Sequence, residues 1–127
     1  MRFTEHELTR AVEAAARTVA RAKARKRAGG ADAAWEALTR IERYYLLDGV
    51  GSQVLPVLIA LPDVEVAPGT RPTFTDAQIV AAVESTLADG GGRLRRKVTV
   101  AARVALVRAA LAELPPRMDP DALTTSD

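Results

Sequence analysis

Val100, Val104, Val107, Leu111 and Leu114 follow one another at spacings of 4, 3, 4 and 3 residues. An α-helix places all five on one face, and a strand does not. On the opposite side Val98, Ala101, Ala105, Ala109 and Ala112 make a second stripe of small residues. A helix over residues 94–114 that is apolar on two sides is expected in the middle of a bundle, where Ala lets a neighbour approach closely. The chain has 127 residues, among them 25 Ala and 15 Arg against 3 Lys, a bias toward good helix formers. The expected fold class is therefore all-α, a single bundle of about five helices.

The first helix announces its own start. Thr4 at the N-cap and Glu7 three residues later form a capping box, and Phe3 can staple onto Leu8. Leu8, Ala11, Val12, Ala15, Val19 and Ala22 continue the stripe, giving a helix over 4–28 that ends at Gly29-Gly30. A second helix over 33–47 carries Trp35, Leu38, Ile41 and Tyr45 on an apolar face. Asp48-Gly49-Val50-Gly51 reads as a break. Ser52 then caps a short helix over 52–61 with Pro56 in its first turn or so, although the apolar run 54–61 also fits a buried strand.

Residues 62–72 read as a loop, with at most an extended piece at Val64-Glu65-Val66. Phe74-Thr75-Asp76-Ala77-Gln78-Ile79 then repeats the opening pattern and starts a helix over 75–88. Pro115-Pro116 ends the last helix. The domain is expected to span 1–117, with 118–127 a disordered acidic C-terminal tail.

Residues 3–13 and 74–84 align at an offset of 71. Phe3, Thr4, Ala11, Val12 and Glu13 match Phe74, Thr75, Ala82, Val83 and Glu84. The match admits a duplicated helical hairpin, but caps and staples also recur by physics alone.

Function is bounded first by what is missing. With no Cys there is no thiolate zinc site and no cysteine nucleophile, and one His (His6) is too few for the usual histidine metal sites. No phosphate loop, dinucleotide fingerprint, zincin motif or nucleophile elbow is present, and Gly90-Gly91-Gly92 follows a helix rather than a strand. No catalytic residue, cofactor or metal is expected, and the chain reads as a non-enzyme. A small lyase or isomerase using Glu42, Tyr45 or Arg103 is the rival of that class. The acidic start and the short apolar runs point to a cytoplasmic protein with no membrane partner.

The charge of +2 conceals a division. Residues 14–31 hold six bases and no acid, and so do residues 90–112; the remainder holds six bases and all 16 acids, net −10. Cations at a helix C-terminus suit the macrodipole, so the first block has an ordinary explanation. Arg93, Arg95, Arg96 and Lys97 open a helix, where the dipole disfavours them. If the first and last helices run antiparallel, Arg21, Lys23, Arg25, Lys26 and Arg27 meet Arg93, Arg95, Arg96 and Lys97 in one basic pole. These nine are the candidate anion- or partner-binding residues. The expected function is a non-catalytic protein-interaction module, a helical adaptor or regulatory subunit whose partner is another protein or a second copy in a homodimer. The alternative is a nucleic-acid-binding protein that uses the basic pole formed by residues 17–27 and 93–97. Tyr44 and Tyr45, beside Arg40 and Arg43, are expected to pack in the core with their hydroxyls at the surface.

Overall fold

The structure, a computed structural model, describes residues 1–23, 31–88 and 92–117. Among them are five helices and no strand: α1 (Glu5–Lys23), α2 (Ala31–Glu36), α3 (Arg40–Ala60), α4 (Asp76–Thr86) and α5 (Arg93–Ala112). The all-α bundle and the number of helices are as the sequence predicts. Residues 24–28, expected to prolong the first helix, and the expected tail 118–127 lie outside the described residues. No helix among those described is long and apolar enough to cross a membrane.

The division of residues 33–61 differs from expectation. The chain breaks at Leu38-Thr39, and α3 then runs unbroken through Asp48-Gly49-Val50-Gly51 and past Pro56. The break has a cause. The Thr39 hydroxyl accepts from the Glu42 amide at 3.2 Å while the Glu42 carboxylate accepts from the Thr39 amide at 2.8 Å, a complete capping box. On the other side of the break, the Arg43 guanidinium donates to the Trp35 and Glu36 carbonyls, satisfying the end of α2. Residues 54–60 are helix, not strand, with Leu61 the C-cap, and Ser52 donates back to the Gly49 carbonyl instead of capping.

Gly49 and Gly51 survive inside α3 because packing outweighs their poor propensity, which costs about 1 kcal/mol each relative to Ala. Gly51 is buried against α1, where an added Cβ would lie 3.8 Å from the Val12 side chain. Around Gly49 an added Cβ would meet nothing within 4 Å. Gly49→Ala is therefore expected to stabilise the protein by roughly 1 kcal/mol, seen as a higher urea midpoint at unchanged slope. A lower midpoint would show that α3 needs the flexibility there.

Contacts between chain ends fix the directions. The Met1 ammonium donates to the Ile59 and Leu61 carbonyls, so α1 begins where α3 finishes. Arg117, just past α5, pairs with Glu7 in the first turn of α1. Asp76 at the start of α4 pairs with Arg108, and Arg96 donates to the Ala88 carbonyl beyond the end of α4. Thus α1 is antiparallel to both α3 and α5, and α4 is antiparallel to α5.

The core lies between these helices. Ala11, Ala15 and Ala16 of α1, Val54, Val57 and Leu58 of α3, Val83 of α4, and Val107 and Ala110 of α5 are fully buried. Alanine on α1 brings its neighbours close, and branched residues fill the other side. Of the α5 stripe, Val104, Val107 and Leu114 are buried and Val100 and Leu111 pack against them. The second stripe is a correction: Val98 is 62% exposed, and Ala101, Ala105 and Ala112 are exposed too. The described residues therefore do not surround α5: α1, α3 and α4 cover one side of it only.

Thr4–Glu7 and Thr75–Gln78 form the two expected boxes. The third box, at Thr39, falls outside the 71-residue register. The same grammar thus arises at Thr39 in this chain without duplication.

Candidate interaction surface

The antiparallel packing of α1 with α3 and α5 collects three helix ends at one end of the bundle. There α1 finishes, and both α3 and α5 start. Arg21 and Lys23 are exposed in the last turn of α1, and Arg93, Arg95 and Lys97 are exposed in the first turns of α5. Arg96 is half-buried, its guanidinium spent on the Ala88 carbonyl at 3.4 Å. Arg25, Lys26 and Arg27 lie outside the described residues. Among the described residues, none of Arg21, Lys23, Arg93, Arg95 and Lys97 has a carboxylate within ion-pair distance. The start of α5 has Gly92 as its N-cap, without a side-chain hydrogen bond, and no acid in the first turn. Among the described residues nothing local offsets the repulsion between the helix dipole and these cations.

The same end carries apolar surface, most of which the helical spacing predicts to be core. Tyr44 is 64% and Tyr45 66% exposed, and Ile41 is 61% exposed. The two tyrosine rings meet edge to face at 5.6 Å. Leu94 and Val98 on α5 are 76% and 62% exposed. The expected apolar face of the second helix is thereby split. Trp35 and Leu38 turn inward, while Ile41 and Tyr45, in the first two turns of α3, are left exposed. Arg40, exposed in the first turn of α3, adds a cation that the two basic blocks did not include.

Trp35 anchors this end. It is 8% exposed, and the guanidiniums of Arg17 and Arg43 lie over its ring at 5.6 and 5.5 Å. A guanidinium over an indole is attracted by the ring's negative face. Arg43 also pairs with Glu36 at 3.3 Å. One aromatic ring therefore ties α2 to both α1 and α3, and two of the basic residues here have structural work.

Glu42, Tyr45 and Arg103, the residues with possible catalytic chemistry, line no common groove among those described. Glu42 is exposed and committed to its cap: hydrogen bonds from the Thr39 amide and then the Thr39 hydroxyl hold its carboxyl below the usual value, against a small opposing effect of burial. Tyr45 is exposed and Arg103 half-buried. A shallow groove between α1 and α5, lined by Arg10, Glu13, Arg17, Arg21, Ala109 and Glu113 among others, includes none of these three. Comparison with protein-family models, curated proteins and solved structures finds no match.

Proposed function

We propose that this chain is a non-catalytic protein-interaction module that docks its partner at the end of the bundle where α3 and α5 start. One observation carries the reading. Of the six large apolar side chains that are markedly exposed among the described residues, five (Ile41, Tyr44, Tyr45, Leu94 and Val98) sit at that end. Exposed apolar clusters rimmed by polar groups mark binding surfaces more often than ordinary surface, and aromatic residues with Arg are enriched at interfaces. The rim here is Arg40, Arg93, Arg95 and Lys97. A cytoplasmic location and a regulatory role belong to the same proposal.

The test is affinity capture with the wild type beside a Leu94→Glu/Val98→Glu variant, both shown helical by circular dichroism. Proteins recovered by the wild type and lost by the variant support the reading. Identical sets from both place the partner elsewhere.

A nucleic-acid reading is kept because of Tyr44 and Tyr45. Exposed aromatic rings beside Arg40 and a cationic helix start are what single strands stack on and pair with. Titration with labelled single-stranded and duplex DNA across salt decides it. Binding that weakens steeply with salt, and flattens when Arg93, Arg95, Arg96 and Lys97 become Ala, is the expected result under this reading. Absence of binding at low ionic strength removes it.

A further inference from the structure

We infer that the exposed face of α5 is a seat for an acidic amphipathic helix of a partner protein. The inference rests on the interaction-module reading and names the partner's chemistry. Leu94, Val98, Ala101 and Ala105 follow at spacings of 4, 3 and 4, all exposed, and so form a continuous seam. It runs about 16 Å along the helix, three turns. Large side chains occupy its first half and small ones its second. A second helix can therefore seat its own large residues over Ala101 and Ala105, with knobs meeting holes along the whole seam.

Charge selects the occupant. At 100° per residue, Lys97 flanks the seam on one side and Arg95 on the other, as e and g positions flank a coiled-coil seam. Both are exposed, and among the described residues neither has an ion-pair partner. α5 has no acid of its own from Arg93 to Ala112. The complementary helix carries Glu or Asp on both sides of an apolar stripe.

A second copy of this chain fits less well. Paired in parallel it would oppose Arg95 and Lys97 to themselves. Paired antiparallel it would offer them the rest of α5, which carries Arg103 and Arg108 and no acid. Nucleic acid would engage the cations and leave Leu94 and Val98 uncovered.

The probe is a labelled amphipathic peptide of about 18 residues, long enough to cover the seam, with a Leu stripe flanked by Glu. Its counterpart has Lys in place of every Glu. Fluorescence anisotropy with the full chain should show saturable binding of the Glu peptide, at least about tenfold tighter than the Lys peptide at low salt. Val98→Glu should weaken the Glu peptide by about tenfold or more, and Arg95→Glu/Lys97→Glu should reverse the preference between the two peptides. All three positions are exposed, so a circular-dichroism check suffices to show that these variants fold. Equal binding of both peptides, no binding of either, or indifference to Val98→Glu overturns the inference. DNA binding that persists in Val98→Glu while the Glu peptide fails also overturns it, in favour of a nucleic-acid surface. If the peptide fails but captured proteins are still lost with Leu94→Glu/Val98→Glu, the interaction module stands and the acidic helix alone is rejected.

Discussion

Trp35→Ala should cost about 4 kcal/mol, the usual scale for emptying a buried aromatic site. Three losses combine. The indole leaves a cavity between α1, α2 and α3, in a core where α1 contributes mostly Ala and has no bulk to fill it. The guanidiniums of Arg17 and Arg43 lose the ring beneath them. Arg43, freed from the ring, is also the donor that satisfies the end of α2 through the Trp35 and Glu36 carbonyls. α2 has only six residues and cannot hold helix without docking. Urea unfolding followed by circular dichroism measures the change, since the only tryptophan is gone. Trp35→Phe keeps the apolar bulk and a ring face, so it should retain more than half of the lost stability. Equal losses in both variants would mean that the ring's shape, not its burial, sets the effect.

Arg117→Ala is expected to cost about 3 kcal/mol, because it strands a buried carboxylate. Glu7 is 3% exposed and accepts from Arg117 at 3.1 and 3.3 Å, while Arg117 also donates to the Arg2 carbonyl at 2.9 Å. Burial is the largest single influence on the Glu7 carboxyl and raises its pKa. The Arg117 hydrogen bond, the Thr4 amide, the Arg117 charge and the Thr4 hydroxyl together outweigh it and hold the carboxyl below its ordinary value. A carboxyl lowered in the folded state contributes stability above its unfolded value, near 4.3, and loses it as pH falls through the lower folded value. Unfolding free energy should therefore drop below about pH 4.3 in the wild type, and the share owed to this group should vanish in Glu7→Gln. Gln preserves the cap, as Gln78 does with Thr75, so at neutral pH this variant should lose less than Arg117→Ala. An acid limb unchanged in Glu7→Gln would assign it to other carboxylates.

Local signals in the sequence were legible, and contacts across the bundle were not. The Thr4 and Thr75 boxes and the Val104–Val107 core stripe follow from spacing alone. The Thr39 box obeys the same rule but is hidden, because Trp35, Leu38, Ile41 and Tyr45 keep a helical period across it. Gly49 and Gly51 look like a stop until α1 lies against α3, where Gly51 is covered by Val12. An apolar face also does not say whether anything covers it, and so spacing alone predicts an inward Ile41, Tyr45 and Val98 where the fold leaves them exposed. The division of charge into acid-free blocks could be read directly. Its placement at one end needed the direction of α5 relative to α1, which Arg117 and Glu7, 110 residues apart, establish.

That pairing also separates the order of the helices from their arrangement in space. The Arg117 side chain reaches the Arg2 carbonyl, so the backbone at the two ends of the described fold lies within one side chain's length. Ends this close allow a short linker to close the chain into a ring and a cut to be made at an exposed turn. A circular permutant opened between α2 and α3 would present the start of α3 as its own N-terminus. Its folding would show whether the bundle depends on the sequence of connections or only on the contacts they bring about.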